Sequence, residues 1–282
     1  MLADAHLHLF RRGYGVPAIA ARLGGRSDIA AYDLLRQTHG IATGLVIGYE
    51  ADGIDPDNNR YLRELAQGRD WLHSLAFRHV HAPPSPGWTR DRLAEGHRGL
   101  ALYLADAAAA GALSDWPADV WHCLNDHAAL ISLNARPEAT ALLAPMIAAA
   151  PDCRFLFSHI GLPGRLATLR QGESVRDRLG PVLALAGCDN VLVKLSGLYA
   201  ICDPPDLWPQ QPAVAFIAEV LAAFGPGRCL WGSDFSPALE FLAFDQTIPV
   251  LSGCHLTPEE TGQVMGANLV RLLQQKGNVH GG

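Results

Sequence analysis

Leu2-Ala3-Asp4-Ala5-His6-Leu7-His8-Leu9-Phe10 is the stretch from which the rest of the chain is read. Its apolar positions predict a β-strand. Two histidines two residues apart on a strand point to the same face. Imidazoles that share a buried face each bring polar nitrogens that need partners. A solvent-facing edge strand would explain an H-x-H equally well, because the pattern is common. What the other strands carry decides between the two.

Outward from this stretch, short apolar runs alternate with Ala/Leu-rich segments of helix length. Further strands are predicted at 41–48, 71–81, 99–104, 130–134, 155–159, 191–195 and 229–232. Helices are predicted at 29–39, with Leu34 and Leu35 on the apolar face, and at 58–67, 117–127, 137–150, 213–224 and 258–274. Gly40 suits a left-handed helix cap after the first of these, and Gly111 interrupts an alanine run at 107–110. The strands are apolar throughout rather than alternating, which implies burial on both faces. Eight βα units in 282 residues match an α/β fold of the (β/α)8 TIM-barrel kind, as one domain over 1–282. A doubly wound open sheet is the rival. It is weakened because no G-x-G-x-x-G follows the first strand.

Composition narrows the function classes. Hydrophobic residues make up 49% and charged residues 18%, so the chain folds rather than staying disordered. The net charge of -6 argues against a nucleic-acid partner, which needs a basic face. No apolar run reaches the roughly 18 residues that span a bilayer, so no membrane partner is expected. The six cysteines form no C-x-x-C pair, which argues against a zinc knuckle or a redox pair. Buried free cysteines and the lack of a secretory pattern at the N-terminus point to the cytoplasm. The expected partner is a small-molecule substrate, with a homo-oligomer left open.

In a barrel, chemistry gathers at the C-terminal ends of the strands. There the sequence places His6 and His8; Tyr49 and Glu50; Arg78, His79 and His81; Tyr103 and Asp106; Asn134 and Arg136; Ser158 and His159; Lys194 and Ser196; and Ser233 and Asp234. Histidines close three strands and an aspartate closes a fourth, a convergent set that unrelated loop starts would seldom give. For Asp234 the bland alternative is a helix N-cap. Lys194 lies inside an apolar strand and needs a partner or a shifted pKa; pairing with a barrel carboxylate is the reading favoured over a catalytic part. Arg78 suits a substrate carboxylate, and His79, His81, Tyr49 and Asn134 are further substrate-binding candidates. Tyr199 is read as core or rim packing. The histidines at 39, 73, 97, 122, 127, 255 and 280 are read as surface or cap residues. The Pro-bearing loops 82–98 and 200–212 are candidate lids.

Asp4-Ala5-His6-Leu7-His8-Leu9, Ser158-His159-Ile160-Gly161-Leu162-Pro163, Val193-Lys194-Leu195-Ser196-Gly197, Trp231-Gly232-Ser233-Asp234 and the late Gly266-Ala267-Asn268-Leu269 together resemble the amidohydrolase superfamily. The branch most resembled holds 2-pyrone-4,6-dicarboxylate lactonase and the sugar lactonases. The resemblance implies a distorted, metal-dependent-hydrolase-like barrel that hydrolyses a lactone, ester or related bond. By it, Asp234, His159, His6 and His8 are the catalytic residues. Asp234 would be the general base, with the three histidines polarising the carbonyl. Many superfamily members complete a divalent metal site with a fifth-strand histidine. Here Leu130-Ile131-Ser132-Leu133-Asn134 has none. The expectation is therefore no cofactor, or a single zinc held weakly by His6, His8 and Asp234. The fourth strand ends without arginine, so a neutral or singly charged lactone is preferred over a highly anionic one. The alternatives are a zinc-dependent decarboxylase of the same superfamily and a non-catalytic barrel that binds a small molecule.

Overall fold

The computed structural model describes residues 1–51 and 53–275. Eight parallel strands follow one another in chain order: β1 (Leu2–Leu7), β2 (Ile41–Ile47), β3 (Leu72–Phe77), β4 (Gly99–Leu104), β5 (Leu130–Ala135), β6 (Arg154–Phe157), β7 (Val191–Leu195) and β8 (Cys229–Trp231). The ring closes just past β8. The Asp234 N–H donates to the His6 carbonyl at 2.8 Å, the His8 N–H donates to the Phe235 carbonyl, and Leu7 bridges Phe235 in parallel. The architecture is a (β/α)8 TIM barrel with its helices outside.

The apolar runs behave as their composition requires. Every strand contributes to one inner cluster, with Ala3, Ala5, Leu45, Ile47, Leu75, Ala101, Leu130, Leu156, Leu192 and Leu230 all buried. Leu269, Leu272 and Leu273 of the closing helix join it. The alternate residues, such as Ile131, Phe155, Phe157, Val191 and Val193, pack outward in a second cluster with Ile217, Val220 and Leu221 of the helix Ala213–Phe224. Burial of both faces is why these strands lack a polar alternation.

Several boundaries differ from the sequence expectation, each for a local reason. β3 stops at Phe77, not at 81. The Asn59 side chain accepts from the Phe77 N–H at 2.6 Å and donates to the Phe77 carbonyl at 3.0 Å, taking the bonds a strand neighbour would use. β6 stops at Phe157, because His159 and Ile160 adopt positive φ of 53° and 58°. The helix expected over 137–150 divides into Pro137–Thr140 and Ala144–Ala149. Pro145 has no N–H to continue the ladder. Gly111, expected to interrupt, lies within the helix Ala107–Ser114. The closing helix runs as expected but passes through a π turn at Gln263–Ala267. There a Cβ on Gly266 would lie 2.5 Å from the Met1 carbonyl, so only glycine lets this helix cross the start of β1.

Leu34 is exposed, and the helix Asp28–His39 buries Ala31 and Tyr32 instead. His97 is buried rather than a surface residue, its Nδ1 2.9 Å from the Ser74 hydroxyl. The reading of His280 lies outside the described residues. Among the described residues, no helix is long and apolar enough to cross a membrane.

Candidate active site

The site begins with an irregularity in β1. Ala3 and Ala5 face the inner cluster, yet Leu7 and Leu9 pack outward against Tyr32 and Phe235. The parity changes because the register with β2 slips: Asp4 pairs with Gly44, but Leu7 pairs with Val46. Three residues on β1 thus oppose two on β2, a bulge that re-aims side chains. It leaves His6 and His8 facing inward.

Asp4 holds the bulge in place. Its Oδ1 accepts from the His6 N–H at 3.1 Å and the Ser233 N–H at 2.9 Å. Its Oδ2 accepts from the Ser233 hydroxyl at 2.5 Å and the Tyr32 hydroxyl at 2.9 Å. Burial raises the Asp4 carboxyl to about 6 against these bonds, which pull it down. The residue thus ties the bulge to the end of β8, a role that nothing in the sequence pattern marks.

Four residues predicted from distant parts of the chain are brought together. His6 Nε2 lies 3.2 Å from His8 Nε2 and 3.5 Å from Asp234 Oδ1. His8 Nε2 is 3.8 Å from the same oxygen, and His159 Nδ1 is 4.0 Å from Asp234 Oδ2. All four side chains are buried. His159 and Asp234 both sit at positive φ, 53° and 57°. This left-handed backbone is uncommon outside glycine and clusters at functional sites.

The surrounding residues set hydrogen-bond roles. His8 Nδ1 donates to the Ile47 carbonyl at 2.9 Å, which leaves a lone pair on Nε2. The Tyr199 hydroxyl donates to Asp234 Oδ2 at 2.7 Å, so this tyrosine belongs to the site rather than the rim. The Ser196 hydroxyl sits 3.1 Å from His159 Nδ1, and a Cβ on Gly197 would lie 2.3 Å from the same nitrogen. Gly197 has φ of 60°, so both its conformation and its closeness to His159 require glycine. Lys194 is fully buried, and among the described residues no carboxylate pairs directly with it. Its Nζ reaches Ser132 Oγ at 2.7 Å and His6 Nδ1 at 3.2 Å.

Burial governs the charge states. It lowers His8 and His159 to about 4 and His6 well below its usual value, with the neighbouring Lys194 adding to the shift. It pulls Lys194 down to about 7, against the carboxylates of Asp234 and Asp4. It raises Asp234 to about 6, opposed by His8, the Tyr199 hydroxyl and Lys194. At neutral pH the imidazoles are therefore uncharged and Asp234 is mostly ionised.

A cavity of about 890 Å³ opens beside His159, walled by the loops that follow β5, β6 and β7. Asn134 lines it, as do Arg136, Arg165, Arg170 and Arg178. Much of that positive charge is answered locally. Arg178 is forked onto Glu173 with bonds of 2.8 Å, and Arg165 lies 3.4 Å from Asp203.

The other predicted residues sit apart. The Arg78 guanidinium donates to the Ala82 and Pro83 carbonyls and stacks on Trp88 at 5.0 Å. His79 and His81 are exposed and pack on each other at 5.5 Å. Tyr49 packs edge-on against Phe77 and Tyr103. Among the described residues, no hydrogen bond or ion pair joins Arg78, His79, His81 or Tyr49 to the central four.

The donor set fits a divalent metal. In a tetrahedral site with bonds of about 2.0–2.2 Å, ligand atoms stand about 3.3–3.6 Å apart. The spacings of 3.2, 3.5 and 3.8 Å among His6, His8 and Asp234 bracket that range. His159 could also join, since His6, His159 and Asp234 offer atoms within 4.8 Å of one another.

The amidohydrolase family model matches residues 3–273, and the chain belongs to that family. An amidohydrolase from Burkholderia multivorans with bound zinc is similar in structure, at 20% identity and a TM-score of 0.77, with 96% of this chain and 98% of that one covered. A Pseudomonas putida protein described as a 2-pyrone-4,6-dicarboxylic acid hydrolase aligns at 20% identity and a TM-score of 0.69, covering 96% of each chain. An Acinetobacter baumannii protein described in the same terms, with citric acid bound, aligns at 16% identity and 0.71, covering 96% of this chain and 98% of that one. A search of curated proteins finds no sequence match.

Proposed function

We propose that this protein hydrolyses a lactone or another small carboxylic ester, with Asp234 as the base that activates water. The observation that carries the reading is the position of Asp234. Its carboxylate lies within 3.5–4.0 Å of three buried imidazoles, and one of these, His159, lines a cavity large enough for a small molecule. A general base works best when its pKa lies near the working pH, and burial has moved this one from 3.8 to about 6. Tyr199 holds Oδ2 through its hydroxyl, which leaves Oδ1 for the water.

Ester hydrolysis also needs donors aimed at the oxygen where negative charge grows. His6 and His159 are the candidates, acting as neutral N–H donors. The pair His8 Nδ1 and Ile47 carbonyl keeps His8 an acceptor, suited to orienting the water or the His6 proton. Asp234 takes a proton from water as the carbon–oxygen bond forms, and returns it to the leaving alkoxide as the ring or ester bond breaks. Both steps use one carboxyl, so the proton count closes. A divalent metal, when bound, would be held by His6, His8 and Asp234, and would supply Lewis-acid polarisation and a more acidic water.

The reading extends to one domain over 1–282, a soluble cytoplasmic setting and a small-molecule partner. The test is a panel of sugar lactones, aromatic lactones and simple esters, followed by proton release with an indicator dye. Turnover of at least one lactone or ester, lost in Asp234→Asn, is expected. Decarboxylation of hydroxybenzoates without any ester or lactone turnover would replace this reading with a decarboxylase.

A further inference from the structure

The sequence placed a lysine inside β7, and the proposed chemistry leaves it unused. Lys194 is fully buried, with Nζ 2.7 Å from Ser132 Oγ and 3.2 Å from His6 Nδ1. A second route reaches the same nitrogen. Ser132 Oγ lies 3.4 Å from Ser158 Oγ, which lies 3.3 Å from His6 Nδ1. In its ammonium form Lys194 only donates. Ser132 accepts from it, so the Ser132 hydroxyl hydrogen is free to turn to Ser158, and the Ser158 hydrogen to His6. Both routes end on His6 Nδ1 as an acceptor.

A histidine that binds metal through Nε2 has the opposite need. It almost always donates its Nδ1–H to a carboxylate, carbonyl or water, which fixes the tautomer and strengthens the ligand. His8 meets that condition, with Nδ1 on the Ile47 carbonyl at 2.9 Å. His6 faces donors instead. Whenever Lys194 carries its proton, the charge on the far side of His6 also repels any metal placed between His6, His8 and Asp234.

We infer that Lys194 is a positioning residue: it holds His6 as the Nε2–H tautomer and works against a divalent metal in the His6–His8–Asp234 site. The His6 Nε2–H then faces His8 Nε2 at 3.2 Å and Asp234 Oδ1 at 3.5 Å, ready to be given to a substrate oxygen. The missing fifth-strand histidine belongs to the same arrangement, because β5 supplies Ser132 to carry the lysine. This inference concerns the His6 tautomer and metal affinity. It stands or falls separately from the identity of the substrate.

The test measures zinc affinity of the full-length protein, stripped of metal, by competition with a chromogenic chelator. Lys194→Met keeps the volume and removes the donor. It should bind zinc at least about tenfold more tightly, the scale on which outer partners tune metal sites. Equal or weaker binding in a variant whose melting curve shows it folded would overturn the inference. Ser158→Ala discriminates further. If Ser158 accepts from a ligating His6, its loss weakens zinc binding, and the inference fails; if it only relays a donor, affinity holds or rises. One measurement needs no variant. Histidine-selective ¹⁵N spectra of the metal-free protein should show His6 protonated on Nε2, and a His6 protonated on Nδ1 alone would reject the proposal.

Discussion

His6-Leu7-His8 and His79-Val80-His81 have the same spacing, and each lies at the end of a barrel strand. Their fates differ. The first pair is buried beside Asp234, with its nitrogens assigned to the Ile47 carbonyl, Lys194 and Ser158. The second is exposed and interacts mainly with itself. The cause lies outside the histidines. Asp4 locks a bulge that turns His6 and His8 inward while the strand is still paired. Asn59 caps β3 at Phe77, before His79 is reached. An H-x-H therefore reports a site only when the backbone beneath it remains in the sheet.

This contrast can be broken or sharpened by experiment. The largest effect is expected from Asp234→Asn, which keeps the shape and removes the base. Its kcat/KM should fall about 10²–10⁴-fold with the melting temperature largely retained. Gly197→Ala comes next. A Cβ would sit 2.3 Å from His159 Nδ1 at a φ of 60°, so the imidazole must move. A displacement of that kind should cost about 10² in kcat/KM, out of proportion to any loss of stability in a urea titration.

The pH–rate profile of the metal-free protein is the third check. Burial places Asp234 at about 6. The base form is lost as pH falls below that value, so kcat/KM should drop about tenfold per pH unit there and level off above. A flat profile from pH about 5 to 8 would remove this carboxylate from the rate-determining step. Asp4→Asn is expected to act more gently, by turning an acceptor for two N–H groups and two hydroxyls partly into a donor. It should destabilise the fold by about 1–3 kcal/mol and lower activity through the position of His6. Last, His79→Ala and His81→Ala should each change kcat/KM by less than about twofold and stability by no more than about 0.5 kcal/mol. A large loss in either would show that the second pair does reach substrate.

Much of this is legible in the sequence. Apolar runs at the right spacing give the strands and their order, because a strand buried on both faces has nowhere to put polar residues; they favour a barrel over an open sheet without excluding the latter. Among the polar groups where such runs end, the resemblance to amidohydrolases singles out His6, His8, His159 and Asp234, and the structure brings the three histidines within 4.0 Å of Asp234. Lys194 was flagged as an anomaly inside β7, but its expected carboxylate partner proved to be Ser132 and His6. Tyr199 and Asp4 were underrated, since a tyrosine or an aspartate in a loop or strand has many ordinary uses. Only the arrival of Asp234 at one and of Ser233 and Tyr32 at the other distinguishes them.

By itself, the chain determined how many strands there are, in what order they come, and that both of their faces are buried. These follow from hydrophobic periodicity, a local property that needs no knowledge of neighbours. Tertiary structure alone decided which H-x-H turns inward, which nitrogen of His6 receives a proton donor, and how far burial moves Asp234. Each of those depends on donors and excluded water brought from strands far apart in the chain, and hydrogen-bond direction and desolvation exist only once those strands have met.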